Sequence, residues 1–289
     1  IARNTIEEDS YNIGFGEGSQ GYILSIRQPV RLIEGLGESF KDSLAFIADK
    51  SDVMETRLNH QVRKKVKEIF GAYSTKELNQ MYNKREFEMP DGQKITKENL
   101  VAMALNWGNQ INRDRVMVGF EVNLGQVEEL LTNLNARDWE FVQNIWDLKE
   151  SLFPDMAKTE ERMTGTTMNK VEALPFEIVD KEGNTHKLRG GYYHIAYASK
   201  KNTQIANIEE LDSMKSYMPT NAIFGTGLSA TKKRAQKFNN PPLLLDFSVI
   251  PNHLAETIHI IAKREAVRDL KKIVFDKRFE NIVISAYGV

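Results

Sequence analysis

Between His186 and Lys201 the chain interleaves cations with aromatics. Lys187, Arg189, Lys200 and Lys201 bracket Tyr192, Tyr193 and Tyr197. Cations can hold a phosphate backbone and tyrosine rings can stack on bases, so this composition suits a nucleic-acid contact. Lys232, Lys233 and Arg234 form a second basic cluster that would extend the patch. The candidate nucleic-acid residues are therefore Lys187, Arg189, Tyr192, Tyr193, Lys200, Lys232, Lys233 and Arg234. The competing reading is a hairpin whose tyrosines pack on helices while its cations are solvated, because alternating aromatics in a strand usually serve packing.

Other constellations fall short of a chemistry. His253, Glu256 and His259 stand three residues apart on one helix. Glu-x-x-His is half of a carboxylate-bridged di-metal motif, and the chain holds no second copy. The zincin spacing is also missing. Gly14, Gly16 and Gly18 are faintly like a phosphate loop, but no Lys-Ser or Lys-Thr pair follows them into a helix. No Gly-x-Ser-x-Gly elbow occurs. Glu160 and Glu161 are neighbours on a helix and point in different directions, so they make no acid–base pair. Asn106, Asn109, Asn112, Arg113, Asp114 and Arg115 crowd around Trp107. Such a stretch can bind a ligand, but Asn and Asp more often cap helices and tie them together. No catalytic residue, metal ligand or cofactor follows from the sequence.

The elements that must position these residues are mostly helical. Leu32, Leu36, Phe40, Leu44 and Ile47 share one helical face, and residues 53–70 predict a second helix with Leu58, Val62, Val66 and Ile69 on its apolar side. Ser74 with Glu77 predicts a capping-box start, and Asp91-Gly92 a turn. Residues 96–107 predict a helix, and 112–120 its extension or another. The clearest helix covers 135–153. Trp139, Val142 and Trp146 make one stripe on it; Phe141, Ile145, Leu148 and Leu152 make a second. Pro154 is expected to end it.

After Gly165 the period shortens. Leu174, Phe176 and Ile178 alternate, Glu182-Gly183-Asn184 supplies a turn, and a β-hairpin or small sheet is expected over about 171–198. Gly190-Gly191 predicts a bulge or a close backbone approach within it. A short helix is expected near 208–217. Residues 243–250 read as a strand or buried extended segment, and Pro251 as the start of a last long helix. That helix changes its apolar side near Arg264, so it is either covered on both sides or broken there.

Composition bounds the rest. The 289 residues are 41% hydrophobic, enough for a core. With 39 basic against 40 acidic residues, no global field attracts nucleic acid or anionic lipid. There is no cysteine, which removes disulfides, thiolate metal sites and a thiol nucleophile. The apolar runs are too short to span a bilayer, and a soluble chain is expected. It begins at Ile1, with no signal-peptide pattern, and reads as part of a larger protein. Residues 1–28, rich in glycine, read as a linker or arm from a preceding domain, and 29–289 as a helical domain.

Five phrases in a fixed order resemble a known family. They are residues 104–113 (ALNWGNQINR), 138–146 (DWEFVQNIW), 171–175 (VEALP), 188–193 (LRGGYY) and 243–251 (LLLDFSVIP), the last running into 264–267 (REAV). The series is similar to a region of the very large polyvalent proteins of bacteriophages and other mobile elements, and the likeness spans roughly residues 100–276. Where that pattern commonly has Pro this chain has His194, and where it has Asp this chain has Ala198. The resemblance implies a protein packaged in the particle and delivered with the DNA, located in the virion and then in the host cytoplasm. Its implied partners are other domains of the same chain, other virion proteins and DNA. It carries no catalytic residue.

The expectation is a mainly α, multi-helix domain with a small inserted β-hairpin. Its expected role is that of a non-enzymatic module of a phage virion protein. The alternatives are a nucleic-acid-binding accessory domain of a polymerase- or helicase-type polyprotein, and an enzyme whose site is not recognisable in sequence.

Overall fold

The computed structural model describes residues 38–198 and 242–287. The element order is α1 (Glu38–Phe70), α2 (Thr75–Asn83), β1 (Arg85–Glu88), β2 (Lys94–Thr96), α3 (Lys97–Leu105), α4 (Gln110–Gly119), α5 (Leu124–Leu131) and α6 (Ala136–Thr164), then β3 (Phe176–Val179), β4 (Thr185–Leu188), α7 (Val249–Val274) and α8 (Lys277–Tyr287). The protein is mainly α, and the described residues include two small antiparallel sheets of two strands each. The anticipated linker at 1–28, the helix near 208–217 and Lys200, Lys201 and Lys232–Arg234 lie outside the described residues. No helix among those described is long and apolar enough to cross a membrane.

The described residues fall into two compact units, one of residues 38–56 and 259–287, the other of 57–198 and 242–258. In the first unit Lys263 is wholly buried and pairs with Asp52 and, at 3.3 Å, with Glu55. Its ammonium also donates to Ser51 Oγ at 3.2 Å. Residues 260–264 of α7 are buried on every side, so the change of apolar face near Arg264 marks a covered helix that runs on unbroken.

In the second unit the helix starts follow local chemistry. Ser74, Thr96, Asn123 and Asn135 each build a full capping box with the residue three positions on. Each box satisfies two backbone donors that the first turn would leave open. Asn109 caps α4 through a bond from Asn112 N. The core gathers α3, which is buried from Leu100 to Leu105, and the double stripe of α6. Every Leu or Ile buried this way contributes about 1.5–3 kcal/mol. Phe141 is central: Phe70 meets it edge-on at 5.1 Å, Tyr73 at 5.7 Å, and Phe247 lies tilted at 5.4 Å.

Three local expectations need correction. Residues 38–70 form a single helix, not two. The helix from 136 does not stop at Pro154 but continues to Thr164, where Gly165 at φ 72° ends it. Proline costs a helix interior about 3 kcal/mol. Here Leu152 before it and Thr159 and Glu160 after it are buried, and that packing holds both halves in line. The β insertion is also shorter than expected. Its ladder pairs Phe176 with Leu188 and Val179 with Thr185; Gly190-Gly191 lies beyond β4 and forms no bulge, and of the two alternatives it is the close backbone approach that occurs, outside the hairpin. A second hairpin, β1–β2, surrounds the predicted Asp91-Gly92 turn, where Gly92 has φ 82°.

Candidate functional site: a buried lysine–histidine cluster

Beyond β4 the chain makes a sharp departure that positions everything after it. Gly190 has φ 74°, and its Cα hydrogens face Leu174 O and Gly108 O so closely that a Cβ would stand 2.5 and 2.6 Å from them. Gly191 lies against the Trp146 side chain, where a Cβ would come within 2.5 Å, and a Cβ on Gly108 would stand 2.6 Å from the same indole. Gly108 and Gly191 leave the space that Trp146 needs, and Gly190 lets the backbone pass close to Leu174 and Gly108. The indole N–H donates to Leu105 O at 2.9 Å, which locks the ring between α3 and α6.

The asparagines around Trp107 fasten the same segment. Asn109 Nδ2 donates to Gly191 O at 3.2 Å, and Asn112 Nδ2 donates to Tyr193 O at 2.9 Å and to Asn106 Oδ1 at 3.0 Å. All three side chains are buried, so these bonds replace water that folding removed. Arg113 donates from Nε to Trp107 O at 2.6 Å. Its guanidinium stands 4.9 Å from the Trp107 ring and 4.8 Å from the Phe176 ring. The dense polar stretch is thus structural wiring, with the residue types that capping and tying predict.

Held in this way, residues 192–194 reach a cluster that the sequence did not suggest. Lys149 of α6 has its Nζ 3.2 Å from Nδ1 of His253 on α7. The same ammonium stands 4.5 Å from the centre of the Tyr193 ring. The His194 ring stacks on His253 at 4.3 Å, and Tyr192 lies tilted to His253 at 5.8 Å. Lys149, Tyr193 and His253 are each over nine-tenths buried. Their environment sets their charges. Burial pulls Lys149 down to about 7, against the opposing attraction of Glu256. Burial, then the positive potential of Lys149 and His194, hold His253 well below its ordinary value. Burial pushes the Tyr193 phenol up, helped by Asp246 and Glu98. With Lys149 as donor, the His253 proton resides on Nε2, and neither that atom nor the Tyr193 hydroxyl has a hydrogen-bond partner among the described residues.

The anticipated binding residues are divided by this arrangement. Lys187 and Arg189 are exposed, but Lys187 pairs with Glu177 across the ladder at 3.0 Å and Arg189 with Asp147 at 2.6 Å. Both line a shallow groove of about 470 Å³ between α6 and β4, whose walls also carry Gln143 and Trp139. Tyr193 must be corrected as a surface residue: at 1% exposure its ring has no face for a base. Tyr192 is half-buried beside His253, away from that groove's lining. The structure therefore brings Lys187 and Arg189 together but turns the tyrosines inward. His253 and His259 also part company. His259 lies in the first unit, 3.2 Å from Glu55. Burial raises the Glu55 carboxyl, but bonding to His259 and the charge of Lys263 outweigh it, and the net direction is down. No cluster of three or more His, Asp or Glu suited to a metal occurs among the described residues.

Lys149 carried a readable signal. It continues the stripe Trp139, Val142, Trp146 at the next three-residue step, so a helical wheel places its stem in the core. His194 had no comparable signal, because its place depends on a turn at Gly190 that periodicity does not encode. No protein-family model, curated protein or solved structure matches this chain.

Proposed function

We propose that this chain is a non-enzymatic structural module of a large phage-encoded virion protein, packaged in the particle and delivered with the DNA. The observation that carries this reading is where the five resembling phrases go: they meet in one packed core. Trp146 of the second phrase bonds to Leu105 of the first. Leu174 N of the third donates to Gly108 O of the first at 2.9 Å, as does Gly191 N of the fourth. Phe247 of the fifth packs on Phe141 of the second. Residue types held together by packing and by bonds such as Trp146 Nε1 to Leu105 O serve a scaffold better than a reaction centre.

The nucleic-acid reading draws less support. Its exposed described cations, Lys187 and Arg189, already have carboxylate partners, and Tyr193 is buried. The virion reading is tested by quantitative mass spectrometry of gradient-purified particles from a culture that makes the chain. It expects the chain in the particle fraction at a fixed copy number, and its loss from the particle after DNA ejection. Detection only in the soluble lysate would overturn it.

A further inference from the structure

Two buried basic groups face each other, and a third, half-buried, stacks on one of them. Lys149 of α6 and His253 of α7 lie 3.2 Å apart, and His194 is stacked on His253 at 4.3 Å. The carboxylate acting on Lys149 is Glu256, one turn along from His253 on α7. Tyr192 and Tyr193 complete the enclosure from the segment after β4, and Asp246 and Glu98 act on the Tyr193 phenol, not on the bases. Closing the segment over this space disfavours charging Lys149 and His253 together. Two or three positive charges within a few ångströms, away from water, repel strongly and lose their hydration.

We propose that Lys149 and His253, with His194 stacked on the imidazole, form an acid-sensitive latch, and that protonation of the buried pair loosens residues 194–198 and the paired residues 242–245 from α6 and α7. The moving part is defined by its bonds. Ala198 N donates to Pro242 O at 3.0 Å and Leu244 N to Ala196 O at 2.9 Å, while Tyr197 bridges to Leu243. Upstream, Gly190 and Gly191 are anchored against Trp146 and Gly108, so the latch opens from its His194 end.

The sign follows from linkage. Lys149 holds about 7 in the closed state against 10.5 when released, so its charging penalty grows as pH falls from 10.5 and is complete near 7. His253 stays neutral when closed and takes a proton when released, so its penalty begins below about 6.5 and deepens on acidification. Opening is therefore driven below neutral pH by the histidine, in a site already burdened by the lysine. The latch does not depend on the virion reading.

The test is hydrogen–deuterium exchange of the purified chain at pH 7.5 and 5.5, corrected for intrinsic exchange rates. It follows peptides that contain the Ala198 and Leu244 amides, with the buried α3 segment as an internal reference. Acidification should raise exchange at those amides at least tenfold and leave α3 unchanged. His253→Phe keeps an aromatic ring against His194 and should remove most of the pH dependence. Lys149→Met should lower exchange at both pH values. Unchanged exchange in the wild-type protein between pH 7.5 and 5.5 would overturn the latch, as would an undiminished acid response in His253→Phe.

Discussion

Lys149 Nζ stands 3.2 Å from His253 Nδ1 in the interior of the second unit, two bases facing each other where either could be charged but not both at low cost. The pair shows how the unit spends its polar residues. Trp139 and Trp146 of the same stripe fill the core, and the lysine that continues the stripe is drawn in with them. Its ammonium then finds an aromatic face and an imidazole instead of water.

Replacing Lys149 with Met keeps the stem and removes the amine. Exchanging a buried charge for a hydrophobe is often neutral or stabilising by about 1–4 kcal/mol. Lys149→Met is expected to raise the urea midpoint at pH 7. The pH profile is the sharper reading. A lysine at about 7 in the fold and 10.5 unfolded makes the wild type gain stability as pH rises from 7 to 10, by up to a few kcal/mol at 1.36 kcal/mol per unit. The variant should lose that rise, as measured by urea denaturation at pH 7, 8.5 and 10.

Asp138 is fully buried at the start of α6 and accepts from Tyr73 Oη at 2.8 Å, Lys97 Nζ at 2.8 Å and Asn135 N at 3.0 Å. Asp138→Asn keeps the shape but leaves the Lys97 ammonium without its counter-charge. A loss of about 3 kcal/mol is expected from denaturant unfolding, since breaking a buried pair costs more than the pair itself contributes. Tyr73→Phe, which removes one neutral donor, should cost about 1 kcal/mol.

Gly191 and Gly183 separate two reasons for glycine. Gly183 has φ 87° with open space around it, so Gly183→Ala should cost only the backbone strain of about 1 kcal/mol. Gly191→Ala drives a Cβ to 2.5 Å from Trp146 and should cost about 3 kcal/mol or more, unless Trp146 leaves its place. Thermal unfolding ranks the two. Equal losses would mean that the Trp146 contact yields easily.

Much of this was readable from residue types. The capping box at Ser74, the turns at Asp91-Gly92 and Glu182–Asn184, and the two-stripe helix with Trp139 and Trp146 each rest on local rules that tertiary contacts did not override. Pro154 shows the opposite case, because burial on both sides of it outweighs a local preference that sequence reports correctly. The β1–β2 hairpin escaped notice because Arg85–Glu88 is short and largely charged, with Phe87 its only apolar member. The Lys149 cluster joins three segments separated by 45 and 59 residues, and its closure depends on the Gly190 turn. Long-range convergence of this kind has no periodicity to reveal it.

The central claim is that the chain's motif residues build a packed module and not a nucleic-acid surface. It is met most directly by titrating the purified chain with labelled double- and single-stranded DNA from low to physiological salt. The account predicts at most weak binding, which Lys187→Ala, Arg189→Ala and Tyr193→Phe leave unchanged. Tight binding that falls steeply with salt, and that disappears when Lys187, Arg189, Lys232 and Lys233 become Ala, would contradict it.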